Sequence, residues 1–482
     1  MNDRIVITGM SVNTPLGDTL DGFLSSMLAG RSAVTRWKGI DSSQIYSKVG
    51  GDLSDYDVAA KMELLRASTP AEIHKRLRKL ISKSPWSTKL TMLMAVDAWL
   101  DAGFAGEPHP SESTAVVVGG HNLNQRYQHY QRLQFAEEPD YMDSLLSLNG
   151  LDTDHAGCVS EVLQARGPIY TVGAACASGN SGLRCAVDEI LHHGAEVALV
   201  IGPILDFSPL ELHAMALMGA ITFQSFNDCP EKASRPYDVR REGFVPAHGG
   251  GVLVIEPLKR AVGRGARIYA EIVGIEANSD GNHLPEPSEE GQSRLMQRLL
   301  KICGLDASRI DFVSAHATST PLGDLTEIRS IKRVFGDHAK KLKINAPKSL
   351  LGHTCWAAPI VETVAAVLQM RAGKLHPSIN IDTLDPEVDL DVCRAGPTSC
   401  DVRYFMKNSF GFGGINCVSI LRKWDERNVS LRIFSSRGGL AASANRSFCR
   451  RRKRGMASPS HTTKNASGRP QSSSGQGKLL PG

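Results

Sequence analysis

The amino-acid sequence predicts a layered α/β protein built from two successive strand-and-helix series. Three observations point there. Continuous apolar runs rich in β-branched residues, such as Val116-Val117-Val118 and Val197-Ala198-Leu199-Val200-Ile201, read as strands covered on both faces. Segments with apolar residues at helical spacing alternate with them. The alternation runs once through residues 1–255 and again through 256–424, without self-similarity of sequence, which describes a duplicated fold of layered helices and sheets.

Taken in order, residues 4–9 form a first strand, and no leader with the composition of a signal peptide precedes them. A helix over residues 20–28 ends at Gly30. Residues 41–84 are polar and weakly periodic, an excursion of short helices and loops. Residues 86–100 form a mostly apolar helix packed on both sides, 114–120 a central strand, and 122–136 a polar-aromatic helix that meets a partner subunit. A buried strand at 168–172 leads into a helix across 183–191. A strand at 197–202, a helix at 211–220, a glycine-rich loop at 240–251 and a strand at 252–255 complete the first series. The loop is a weak phosphate signal and carries no part of the reading. The second series runs through a strand at 269–275, a helix at 292–303, a strand at 310–315, a helix at 325–335 and a short strand at 343–345. A strongly apolar helix over 360–370 follows, with Pro359 tolerable only in its first turn. Two β segments, 405–412 and 416–421, close it.

Composition narrows the function. Of 482 residues, 41% are apolar and 22% charged, as in ordinary globular proteins. No run of eighteen apolar residues exists, so no membrane-spanning helix is expected. Ten cysteines without paired spacing point to reduced thiols in a cytoplasm, and the absence of CxxC argues against a zinc site. The net charge of +5 misleads, because residues 425–482 hold 12 Lys and Arg against 2 Asp and Glu. Subtracted from the whole-chain 55 and 50, these leave 43 against 48 in residues 1–424. An acidic body gives no support to a nucleic-acid function. The tail, with Arg450-Arg451-Arg452-Lys453-Arg454 and a Ser/Gly-rich end, reads as disordered and basic, without a function of its own.

The chemistry gathers at strand ends. Cys176 sits in Gly173-Ala174-Ala175-Cys176-Ala177-Ser178-Gly179, on a tight turn between a strand and a helix. Small neighbours let a substrate carbonyl approach. A helix N-terminus favours a thiolate and offers N–H groups to an oxyanion. The alternative for any single thiol is a buried structural cysteine. Against that alternative stand His316, Lys348 and His353. His316 lies in His316-Ala317-Thr318-Ser319-Thr320-Pro321-Leu322-Gly323-Asp324. Lys348 and His353 lie in Lys348-Ser349-Leu350-Leu351-Gly352-His353. Each histidine lies just past a strand end, where α/β folds collect reacting groups.

These stretches, in this order and together with Asn408-Ser409-Phe410-Gly411-Phe412-Gly413-Gly414-Ile415-Asn416, resemble the motifs of the β-ketoacyl-acyl-carrier-protein synthases of the elongating type, in the thiolase superfamily. The resemblance covers residues 4–423. It implies a thiolase-like duplicated fold with α-β-α-β-α layers, a first half at 1–255 carrying the nucleophile and a second at 256–424 carrying both histidines. It also implies roles. Cys176 takes an acyl group as a thioester. His316 and His353 donate to the malonyl carbonyl oxygen as CO₂ leaves. Lys348 sets the electrostatics around the histidines. The N–H groups of Cys176 and Phe412 form an oxyanion hole, Phe412 gates the site, and Thr318 and Thr320 hold the phosphopantetheine arm. Acyl carrier protein is the implied partner, with a homodimer and no metal or organic cofactor.

Three departures from the family pattern stand out. His248 occupies a position that is usually acidic, and Trp356 and Pro359 occupy positions that are usually glycine; Trp356 is placed to narrow the acyl pocket. With Leu375-His376-Pro377-Ser378-Ile379-Asn380, they bring the chain closer to free-standing synthases of bacterial polyketide clusters. Some of those only decarboxylate malonyl-carrier protein to supply acetyl units for β-branching, and they commonly lack the cysteine. Three readings follow: a condensing acyltransferase, a malonyl-carrier-protein decarboxylase, and an inactive partner subunit of a synthase heterodimer. The intact Cys176, His316 and His353 favour the first.

Overall fold

The computed structural model describes residues 4–105 and 109–425; the predicted basic tail, apart from Asp425, lies outside the described residues. Ten strands form one mixed sheet: β1 (Ile5–Asn13), β2 (Thr114–Gly119), β3 (Ile169–Val172), β4 (Val197–Gly202), β5 (Gly250–Pro257), β6 (Ala270–Ser279), β7 (Phe312–Ser314), β8 (Lys343–Asn345), β9 (Tyr404–Gly411) and β10 (Ile415–Lys423). Their order across the sheet is β3-β2-β4-β5-β1-β6-β10-β9-β7-β8. Six of the fourteen α-helices among the described residues build the layers around it: α1 (Trp86–Asp101), α2 (Thr153–Leu163), α3 (Ser178–His192), α4 (Glu289–Cys303), α5 (Pro321–Phe335) and α6 (Ala358–Ala372).

The duplication is visible in this order. Both series run β-α-β-α-β-α-β-β along the chain. In each, the last strand lies antiparallel between the first and the fourth (β5 between β1 and β4, β10 between β6 and β9). The fourth, second and third strands are parallel. The two five-stranded sets meet where Ile5, Val6 and Ile7 of β1 pair antiparallel with Ile272, Glu271 and Ala270 of β6.

Burial explains the continuous apolar strands. Val116, Val118, Leu199 and Ile201 pack outward under α1 and α2, while Ala115, Val117, Ala198 and Val200 face inward onto α3 and α6. The inner faces of both strand sets converge on those two helices, and Val313, Met406, Val418 and Ile420 face the outer pair α4 and α5. The result is five layers, helix–sheet–helix–sheet–helix. α6 sits in the middle layer and is apolar nearly all round for that reason. Packing is close enough to dictate glycine at Gly9, where a Cβ would lie 2.4 Å from the Ala98 carbonyl oxygen of α1.

Two sequence expectations change. The segment at 168–172 is a strand, but it is the edge strand β3 and not buried: Ile169 is exposed and its neighbours are half-buried. A short apolar run looks the same at an edge that another surface covers as in a sheet interior. Helix α2 has no counterpart in the sequence reading. Its Asp152 N-cap makes no cap hydrogen bond, because its carboxylate accepts from the N–H groups of Asn122 and Leu123 instead. The nine described cysteines are free thiols. No helix among the described residues is long and apolar enough to cross a membrane.

Candidate active site

The nucleophile turn is a single tight 3₁₀ turn, Ala175–Ala177, between β3 and α3. Ala175 sits at φ 45°, the left-handed region, which swings Cys176 out of the strand direction. The Ser178 hydroxyl locks the turn: it accepts from the Ala174 N–H at 2.8 Å and donates to the Ala175 carbonyl at 2.7 Å. Asn180 then ties α3 to the closing hairpin, donating to Ser409 Oγ at 3.2 Å and to the Cys417 carbonyl at 3.3 Å. That hairpin turns through Phe412, with Gly413 and Gly414 at φ 83° and 69°. Gly411 lies against the nucleophile turn, where a Cβ would sit 2.9 Å from the Ala174 carbonyl oxygen and 3.3 Å from the Cys176 nitrogen.

Cys176, His316, His353, Phe412, Thr318 and Thr320 all line one cavity of about 360 Å³. Lys348 lies directly behind it. The sequence-predicted site residues are therefore brought together from four separate turns. Thr320 caps α5 through the Gly323 N–H, and its hydroxyl lies 3.0 Å from that of Thr318. Leu322, Met218 and Leu284 are exposed at the rim.

The tautomers of the histidines follow from their partners. The Cys355 N–H donates to His353 Nδ1 at 3.1 Å, so the ring proton is on Nε2. That Nε2–H is buried and has no protein partner. The Lys348 ammonium, which can only donate, lies 3.5 Å from His316 Nδ1, so His316 likewise carries its proton on Nε2. The two rings stand edge to face, 5.6 Å apart. Burial, reinforced by the Lys348 charge, drives both histidines well below the usual imidazole range, so both are neutral N–H donors.

Burial pushes the Cys176 thiol up to about 12, against the downward pull of Lys348 and of the N–H groups of Cys176 and Phe412. The helix N-terminus, which favours a thiolate, is opposed by burial. Desolvation wins, and the same N–H groups point at the sulfur instead.

Several residues essential to this geometry are absent from the sequence reading. Glu362 is fully buried on α6 between Lys348 at 2.6 Å and Lys407 at 2.8 Å. Glu327 on α5 accepts from the backbone N–H groups of His316 and Ala317 at 2.9 and 2.8 Å, and from Asn408 Nδ2 at 2.9 Å. The signal was present: a lone glutamate in the apolar helix α6 and a lone lysine in β9 each demand a buried partner.

Of the three departures, Pro359 is in the first turn of α6, where proline is tolerated. His248 is fully buried outside the cavity. Its ring is caged by Trp86, Trp37 and Phe207 at 5.0, 5.3 and 5.6 Å, with Asp52 3.4 Å from Nδ1. Trp356 occupies the middle of a second 3₁₀ turn, Cys355–Ala357, that packs on the first.

A thiol on a strand-to-helix elbow, with backbone donors around its sulfur and two neutral imidazole donors on the same cavity, defines an acyl-transferring enzyme. Comparison with known proteins carries this further. The chain belongs to the β-ketoacyl synthase family: the N-terminal domain of that family matches residues 2–261 and the C-terminal domain residues 269–382. It is 32% identical to the 3-oxoacyl-[acyl-carrier-protein] synthase 2 of Coxiella burnetii, over 87% of this chain and 98% of that one. It is 30% identical to the polyketide biosynthesis malonyl-ACP decarboxylase PksF of Bacillus subtilis, over 87% and 97%. Among solved structures, a β-ketoacyl synthase from Burkholderia phymatum shares 30% identity with a TM-score of 0.78, covering 88% of this chain and all of that one.

Proposed function

We propose that the chain catalyses decarboxylative Claisen condensation between an acyl group held on Cys176 and a malonyl thioester of acyl carrier protein, in polyketide or fatty-acid biosynthesis. The observation that carries this is the unpartnered Nε2–H of His353 beside His316, on the same cavity as the Cys176 thiol. Donors held there without a protein acceptor await a developing negative charge.

The steps follow from the geometry. The Cys176 sulfur attacks the thioester carbonyl of an acyl-carrier protein; its proton goes to the departing pantetheine thiolate. The N–H groups of Cys176 and Phe412 hold the tetrahedral oxyanion. A malonyl thioester then enters along Thr318 and Thr320, which hold its pantetheine arm. The bond to its carboxylate breaks, CO₂ leaves, and the electron pair moves onto the thioester oxygen facing His316 and His353. The enolate carbon attacks the acyl-Cys176 carbonyl, the C–S bond breaks with its electron pair on sulfur, and the Cys176 thiolate takes a proton from solvent. Lys348 keeps both histidines neutral and oriented. Phe412, on its glycine hairpin and 6.4 Å from Phe244, is the gate between the two half-reactions. The scheme requires no metal or organic cofactor.

Acyl carrier protein is the partner in this reading, and the enzyme is a cytoplasmic homodimer. The exposed edge of β3 supports pairing of two copies, together with the exposed Phe135, Tyr141 and Leu148. Of the alternatives, a malonyl-carrier-protein decarboxylase is supported by the likeness to PksF. Intact-protein mass spectrometry decides between them. Condensation requires an acyl adduct on Cys176 after exposure to acyl-carrier protein, lost in Cys176→Ala, and a β-ketoacyl product on adding malonyl-carrier protein. Equal conversion of malonyl to acetyl by native protein and Cys176→Ala, with no adduct, establishes the decarboxylase. Absence of both activities restores the inactive-subunit reading.

A further inference from the structure

The duplicated topology gives every element of the site a counterpart. Cys176 is the middle residue of the 3₁₀ turn that begins with a left-handed residue, Ala175 at φ 45°, and precedes α3. Trp356 is the middle residue of the 3₁₀ turn that begins with a left-handed residue, Cys355 at φ 48°, and precedes α6. His316 lies two residues past β7, and His121 two residues past β2. The first pairing across the repeats, His316 with Cys176, shares the cavity. The second, His121 with Trp356, is a stacked pair of rings with centroids 4.3 Å apart and planes at 24°.

Both rings are anchored. The loop carrying His121 is held by Asp152, which accepts from the N–H groups of Asn122 at 2.8 Å and Leu123 at 2.9 Å. The His121 ring lies against Gly173, in the strand-to-turn junction before Cys176, with atoms at van der Waals distance, 3.4 Å, from where a Cβ would be. Trp356 packs against the core under α1 and α2 and against the Trp37–Phe207 cluster. The cavity runs from the rim past Phe412 and Thr318 to Cys176, His353 and Phe244, and neither His121 nor Trp356 lines it. On the proposed reaction, the incoming thioester arm takes the open side. The acyl chain on the sulfur must extend toward the other side, where the two turns pack together.

We propose that the Trp356–His121 stack walls off the acyl side of the site and restricts the group carried by Cys176 to short acyl chains such as acetyl and butyryl. This rests on the condensation reading above. Its basis is that the turn geometry which projects the Cys176 side chain in one repeat projects an indole in the other, beside it.

The test is self-acylation of the full chain by acetyl-, butyryl-, octanoyl- and dodecanoyl-carrier protein, followed by intact-protein mass spectrometry with the adduct mapped to Cys176. The native protein is expected to load acetyl at least roughly 100-fold faster than octanoyl, the scale on which an apolar wall discriminates by size. Trp356→Gly is expected to cut that ratio at least about tenfold. His121→Ala, which removes only the stacking partner, reports the same ratio if the tryptophan variant does not fold. Because the ratio is taken within each variant, a general loss of activity cancels. Comparable loading of octanoyl and acetyl by the native protein overturns the inference and leaves the condensation reading standing, as does a ratio unchanged in both variants. Failure of every acyl group to load, in native protein and variants alike, overturns both.

Discussion

Glu362→Gln removes the only carboxylate between two buried ammonium groups. Glu362 lies 2.6 Å from Lys348 and 2.8 Å from Lys407, and all three side chains are at most 2% exposed. At an effective dielectric near 20, each contact is worth about 6 kcal/mol of Coulomb attraction, most of it offset by the cost of burying the charges. Removing one partner of such a cluster leaves the others uncompensated, which costs about 3–5 kcal/mol. With an unfolding entropy of about 2.1 cal/mol/K per residue, a fold of this size loses about 3–6 °C in Tm. Lys407, already lowered by burial, falls further. The double variant Glu362→Gln/Lys407→Met restores the charge balance and should recover more than half of the loss. Thermal melts of the four proteins, with malonyl decarboxylation measured in parallel, complete the cycle. A shift below about 1 °C for Glu362→Gln, or Lys407→Met adding to the loss instead of cancelling it, would refute the account.

Replacing His353 or His316 by alanine should lower malonyl decarboxylation by roughly 10²–10³ in kcat with a smaller change in KM, the scale of one lost oxyanion donor; steady-state kinetics checks it. Gly411→Ala should abolish acyl transfer to Cys176, because its Cβ cannot fit 2.9 Å from the Ala174 carbonyl oxygen without moving the nucleophile turn; the adduct assay reads this directly. Stability should fall as the pH drops below the usual histidine pKa near 6.5. Burial holds His155 down to about 3 and His376 to about 4, and drives His316 and His353 well below the usual range. The unfolded chain then takes up protons that the fold refuses. Their stability contribution is full above pH 6.5 and is lost toward the folded values, roughly 1 kcal/mol per group between pH 6.5 and 5.5. Denaturant unfolding at pH 7.5 and 5.5 measures it, and equal midpoints would contradict it.

The fold class and the site were legible for different reasons. Strands covered on both faces leave a continuous apolar signature, so β2 and β4 read to within a residue of their ends. β3 leaves the same signature at an edge, and burial cannot be inferred from Ile169 or Val172 alone. α2 escaped because Asp152 spends its carboxylate on the loop after β2 and because His155, its buried polar residue, bonds Thr88 and Thr91 across to α1. Cys176, His316, Lys348 and His353 stood out because reactive side chains follow strand ends in short, small-residue loops. Glu327 and Glu362 did not, since they act on backbone and charge from inside helices, and helical periodicity reports only that such positions are buried. The desolvation that opposes the helix N-terminus at Cys176 was invisible for the same reason: helix position can be read from a sequence and burial of the sulfur cannot.

A fold made twice offers two elbows, one per copy, facing each other across the middle layer. In this chain the two differ. One elbow presents sulfur and the other an indole; one histidine faces the cavity and the other lies under a tryptophan. Carrying both copies in one polypeptide permits such inequality, because each position can differ from its twin.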